Sequence, residues 1–242
     1  PTASAFRVDG PAQSLIGRTG LQGADGVSIS DLTGSGPAGS PGGHGLEARV
    51  GASVRVAAGP GAFAAGGDGG QAQCISCPTC QSGPGGDAIR ALTANVLRAP
   101  DLVLLPGAGL PPTCSSASGS ATFGAITTHP APLPSLGVSP ALASPGGTVS
   151  LDVRGAPGSL FLVGAAEKPA FFSISEVGGP LLLDPATLVV AFTGTLDPSG
   201  SASIALAVPN DPSFSTAGLF LQPATQDATG LNLGAAVSLV VL

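Results

Sequence analysis

The sequence predicts an all-β chain: a short parallel β-helix (a solenoid) over residues 1–114, a linker over 115–135 and an immunoglobulin-like β-sandwich over 136–242. Three observations predict it. Glycine doublets recur through the first half roughly 19 to 24 residues apart, within the range of solenoid repeats. A stretch rich in proline, serine and threonine then divides the chain. Beyond it, apolar residues alternate with period two between turn signals, as in short half-buried strands.

The first element, Ala5-Phe6-Arg7-Val8, alternates and ends at Gly10-Pro11. Phe6 and Val8 suit either a strand that caps the coil or an arm that pairs with a neighbouring subunit. The repeats follow. Gly23-Ala24-Asp25-Gly26, Pro41-Gly42-Gly43-His44-Gly45, Ala65-Gly66-Gly67-Asp68-Gly69-Gly70 and Pro84-Gly85-Gly86-Asp87 each precede a short apolar run. A turn that needs positive φ takes glycine and the aliphatic run takes a strand, so each period reads as one rung of a coil. Between Ala88 and Arg98, Ile89, Leu92 and Val96 also fit a helical face. The preceding Pro-Gly-Gly-Asp repeats the earlier turns and favours strand.

Pro111, Pro112, Pro130, Pro132 and Pro134 make the next stretch an extended, semi-rigid linker. The sandwich strands follow from alternation at Val149/Leu151/Val153, Leu160/Leu162, Leu181/Leu183, Leu188/Val190/Phe192, Ile204/Leu206/Val208, Leu219/Leu221 and Val237/Leu239/Val241. Gly-, Pro- and Asp-rich turns separate these runs.

Composition narrows the function. Hydrophobic residues make up 43% of the 242 and charged ones 9%, the reverse of a disordered chain, despite 38 glycines and 24 prolines. The net charge of −6, with arginines scattered around the single Lys168, excludes a nucleic-acid partner, which needs a basic stripe. No apolar run has the length of a bilayer crossing, so no transmembrane segment is expected. A start at Pro1 without a signal-like apolar stretch reads as a processed mature chain. Met, Trp and Tyr are absent and only nine phenylalanines remain, which weighs against a carbohydrate-active enzyme.

The glycine-punctuated repeats of residues 17–110 resemble those of right-handed parallel β-helix proteins of the pectate-lyase-like kind. Residues 136–242 resemble the β-sandwich modules that end many large secreted bacterial proteins. The resemblance implies an extracellular or cell-surface setting more than an activity, and the acidic or basic cluster of the β-helix lyases and hydrolases has no counterpart in the sequence.

Cys74, Cys77, Cys80 and Cys114 are even in number, and in a secreted chain they read as two disulfides of undecided pairing. The spacing of the first three also suits a metal or iron–sulfur site. Asp25, Asp68 and Asp87 sit in glycine turns, where aspartate bonds its own backbone; calcium is the alternative. Gly42-Gly43-His44-Gly45-Leu46-Glu47 is a poor match to calcium-binding β-roll repeats, since Glu47 stands for aspartate. His44 and His129 read as turn residues, with no nucleophile elbow in the chain. Glu47, Glu167 and Glu176 are far apart in sequence and suggest no glycosidase pair. The expectation is therefore a secreted, disulfide-stabilised structural protein with no cofactor and no catalytic residues. It would polymerise with copies of itself into a filament or surface layer, or serve in adhesion. The alternatives are a polysaccharide lyase or hydrolase domain, or a glycan- or calcium-binding module.

Overall fold

Strands of the first half pair in parallel with partners far along the chain. The computed structural model describes residues 3–9, 13–16, 20–25, 29–30, 39–58, 62–70, 72–73, 82–109, 117–211, 213 and 216–242, with no α-helix among them. Phe6–Val8 (β1), Leu46–Arg49 (β5), Ile89–Leu92 (β9) and Thr122–Phe123 (β12) form one sheet. Gln13–Ile16 (β2), Ser53–Val56 (β6), Asn95–Arg98 (β10) and Ile126–Thr128 (β13) form a second. Gly20–Gln22 (β3), Phe63–Ala65 (β7) and Val103–Leu105 (β11) make a third, and Ile29–Ser30 (β4) with Ala72–Gln73 (β8) a fourth. Phe6 stands opposite Leu46, 40 positions on, and Leu46 opposite Ile89, 43 on. Leu46 and Ile89 are fully buried and share a core with Ala48, Val54, Val56 and Val96. Strand alternation turns these side chains inward, and burying one of the larger ones contributes about 1.5–3 kcal/mol.

The glycine doublets are not the turns of a coil. None of Gly42, Gly43, Gly66, Gly67, Gly85, Gly86 or Gly107 has a positive φ. They lie in segments outside the strands, packed backbone against backbone. Gly43 N donates to Ala24 O at 2.7 Å, Gly67 N to Gly43 O at 2.8 Å and Gly86 N to Gly67 O at 2.8 Å. Gly107 N then donates to Gly86 O, and Gly119 N to Gly107 O, each at 2.9 Å. The segments make two columns, one through Ala3, Gly43, Gly86 and Gly119, the other through Ala24, Gly67 and Gly107. A Cβ on Gly86 would stand 1.9 Å from Gly43 O, and one on Gly67 2.2 Å from Ala24 O. Glycine is required here because there is no room for a side chain. Left-handed backbone occurs instead where β5 gives way to β6, at Val50 (φ 40°) and Gly51 (φ 75°), and at the matching Thr93 (φ 54°) and Gly124 (φ 93°).

These observations correct the pectate-lyase-like β-helix reading. That reading takes one rung per doublet, every 19 to 24 residues. The strands instead fall into small sheets of two to four short members, and 40 to 43 residues separate partners across each of the first two steps. Two doublet segments are crossed between one strand and its partner. The broader expectation, an all-β chain, is what forms. The stretch from Ala88 to Arg98 is extended, as β9 and β10 with a bend at Thr93. Within the stretch expected as linker, β12 and β13 belong to the first two sheets and Leu133 is buried in the first core.

The second half has antiparallel sheets. Ser135–Ser139 (β14), Thr148–Arg154 (β16) and Ser201–Ala207 (β21) form one. Leu142–Ala143 (β15), Val237–Val241 (β24), Gly218–Asp227 (β22), Leu160–Ala166 (β17) and Val189–Thr195 (β20) form the other, joined by Gly230–Leu233 (β23), which pairs with β22. Among the described strands β15 pairs in parallel with β24, and Gly178 makes an isolated parallel bridge to Asn232. In place of the secreted-module resemblance there are thus sheets of three and six strands and a separate hairpin, Pro169–Phe172 (β18) with Leu181–Leu183 (β19). Val149, Leu151 and Val153 meet Phe161, Val163, Leu221 and Leu239 in one core. The expected face of β17 is inverted: Phe161 and Val163 point inward, and Leu160 is 61% exposed. Gln222, buried, fastens the β18–β19 layer: its Oε1 accepts from Leu182 N at 2.8 Å, and its Nε2 donates to Pro180 O and Gly234 O at 2.9 and 2.8 Å. Arg55 Nη2 to Asn232 Oδ1 (3.1 Å) and Ser135 Oγ to Ala58 O (3.2 Å) tie the halves together.

Candidate functional site

The outward residues of the first sheet form one column. Arg7 stands opposite Glu47, Glu47 opposite Arg90, and Arg90 opposite Phe123. The Arg90 guanidinium lies 5.1 Å from the centre of the Phe123 ring, within cation–π range. Glu47 is buried and accepts from Arg49 Nη2 at 2.6 Å and Ser4 Oγ at 3.1 Å. Beside this column, in the glycine segments, His44 Nδ1 accepts the Asp87 N–H at 2.9 Å, and His44 Nε2 lies 2.9 Å from Arg90 Nη1. Asp87 Oδ2 is 3.6 Å from His44 Nδ1 and 3.9 Å from Arg90 Nη1. A groove of about 300 Å³ opens here, lined by Pro41, His44, Pro84, Arg90, Ser118 and Phe123 among others.

The electrostatics follow from burial and neighbours. Burial, then the positive charge of Arg90, pushes His44 below its ordinary value, against the opposing pull of Asp87 and Glu47. Burial pushes the Glu47 carboxyl up, but hydrogen bonds from Arg49 and Ser4 outweigh it and hold the group below the usual carboxylate range. Burial also pushes Arg55 down.

The aspartates singled out in the sequence serve the seam. Asp25 Oδ1 accepts from Asp68 N at 2.9 Å, Asp68 Oδ1 from Ala108 N at 2.7 Å, and Asp87 Oδ1 from Ser120 N at 2.8 Å. His44 does the same for Asp87, so each of these side chains holds an amide of the next layer. Phe6 and Val8 lie in β1, paired with β5 of their own chain, with the other edge of β1 the end of its sheet. Cys74, Cys77, Cys80 and Cys114 lie outside the described residues. His129 is buried in a turn beside Ala131, and Glu167 and Glu176 are exposed on the second half, away from the groove residues. Arg90 and Phe123 were not indicated by any sequence motif. The usable signal is a spacing: Asp25–Asp68 and His44–Asp87 are both 43 apart, the separation at which Glu47 faces Arg90.

No protein-family model matches the chain, and no curated protein matches it. Among solved structures, the sporulation control protein Spo0M from Bacillus subtilis is similar at 8% identity with a TM-score of 0.25. The match covers 45% of this chain and 48% of Spo0M, and at that score it carries no argument.

Proposed function

We propose that this chain is a non-enzymatic structural protein that associates with copies of itself, end to end, through the two exposed edges of its parallel sheets, in a secreted or cell-surface setting. The observation that supports this most is how the sheets stop. β1, β2 and β3 edge one end and β12, β13 and β11 the other, and among the described residues neither set has a further partner. Such edges offer rows of unpaired amides and carbonyls, and natural proteins guard them with charge or proline. Here the inward column that buries Leu46 and Ile89 completely ends in Phe6, 39% exposed, at one end and in exposed Thr122 at the other. Strand addition between the ends of two copies is head-to-tail and grows as a filament unless it closes. Residues 136–242, read as a β-sandwich, meet β6 through Arg55 and Asn232, and none of their described strands pairs with β1, β2, β3, β11, β12 or β13.

Light scattering and negative-stain microscopy test the proposal. Phe6→Asp and Thr122→Asp, at opposite ends, should each stop growth, and an equimolar mixture of the two should stop at heterodimers. A monodisperse 23 kDa species of the unaltered chain at high concentration, across salt and calcium conditions, overturns it. The cysteines belong to the same reading as two disulfides, for which intact mass should rise by about four hydrogens on reduction.

A further inference from the structure

We propose that the groove beside Phe123 binds a small carboxylate, with Arg90 and the Nε2–H of His44 as its donors. A backbone hydrogen cannot be moved, and that of Asp87 points at His44 Nδ1 from 2.9 Å. Nδ1 is therefore the bare nitrogen, and in the neutral ring the proton sits on Nε2. Guanidinium has donors only, so the 2.9 Å approach of Arg90 Nη1 to Nε2 sets two N–H groups against each other. One oxygen accepting from both relieves that contact.

Among the described residues, none of the protein's own carboxylates hydrogen-bonds Arg90 or His44 Nε2, although Asp87 Oδ2 lies within ion-pair distance of Arg90. Glu47 is held by Arg49 and Ser4, and Asp87 Oδ1 by the amide of Ser120. Asp87 Oδ2 stands 3.9 Å from Arg90 Nη1, beyond hydrogen-bond range. Beside Nη1 the Arg90 guanidinium carries Nη2, and the two make an end-on fork of donors. A planar carboxylate matches that fork with two parallel bonds, which a lone oxygen or a tetrahedral anion fits less well. Pro41, Pro84 and the Phe123 ring supply apolar walls, and about 300 Å³ is at the low end for ligand pockets. The occupant this selects is a compact acid with a flat or apolar stem.

The test is an NMR titration of the full chain with benzoate at fixed ionic strength, reading the His44 ring signals, with benzamide as the uncharged twin and inorganic phosphate as the tetrahedral probe. Benzoate should shift His44 saturably and raise its titration midpoint, since an anion at Nε2–H favours the charged ring; Asp87, Glu47, Arg90 and Arg49 are the other charges acting on it. Arg90→Gln should weaken benzoate at least tenfold. Phe123→Leu, at an exposed site that leaves the charges in place, should weaken it by a smaller factor. Equal response to benzamide, a tighter response to phosphate, no saturable shift, or undiminished binding by a folded Arg90→Gln variant each overturns the proposal.

Discussion

Gly86→Ala tests the seam directly. The new methyl would stand 1.9 Å from Gly43 O and 2.6 Å from its carbonyl carbon, where real contacts begin above 3.0 Å. Both atoms are backbone, so no side chain can rotate away and the segments must part by about an ångström. Overpacking of this kind costs about 1–3 kcal/mol. Parting the segments also strains the bonds that Gly86 donates to Gly67 O (2.8 Å) and accepts from Gly107 N (2.9 Å), each worth about 1 kcal/mol. The expected loss is roughly 3–5 kcal/mol, a large share of the 5–15 that holds a typical domain. With no Trp or Tyr to follow by fluorescence, urea unfolding is read by far-UV circular dichroism. The midpoint should fall with the slope little changed. Gly218→Ala is the control: a methyl there meets nothing within 4 Å, and its φ is not positive, so the shift should stay within about 0.5 kcal/mol. Equal midpoints for Gly86→Ala and Gly218→Ala would refute the claim that these glycines are there for want of space.

Val50 is a β-branched residue at φ 40° and 66% exposed, so Val50→Asn should raise the thermal midpoint, by about 1 kcal/mol in stability. Gln222→Leu removes three hydrogen bonds that hold the β18–β19 layer and should cost on the order of 3 kcal/mol, with hydrogen exchange at Leu182 N accelerating first. Because His44 is pushed below its ordinary 6.5, the unfolded chain binds that proton more readily, so stability should fall as pH drops from about 6.5 and His44→Gln should flatten that step. Glu47, held below its ordinary 4.5, adds a further loss as pH falls below that value, which urea midpoints measured across pH should resolve as a second step.

What was legible depended on whether one residue's neighbours in sequence shared its environment. The alternating runs of the second half all became strands, since period two needs only local alternation, as at Val149, Leu151 and Val153. The inverted face of β17 was not readable, because Leu160 to Val163 is a continuous apolar run and the parity that turns inward is set by its partner strands. The doublets were visible as a spacing, but a glycine needed for positive φ and one needed for want of a Cβ look alike in sequence. Gly51 is of the first kind and Gly86 of the second. The groove was hidden for a related reason. His44, Asp87, Arg90 and Phe123 meet only through the long parallel register, which no motif reports.

That long register also governs how the chain must fold. β5 finds no partner until β9 exists, and β6 none until β10, unless each joins the strand some 40 positions before it. Closing such loops costs entropy before any contact repays it, so the first half should fold slowly relative to its size. During synthesis an unpartnered β5 or β6 waits for tens of residues to emerge, exposing Leu46, Val54 and Val56, which end fully buried. With only 9% of residues charged, little repulsion protects that interval. Refolding yield should therefore depend on protein concentration far more steeply than native stability does.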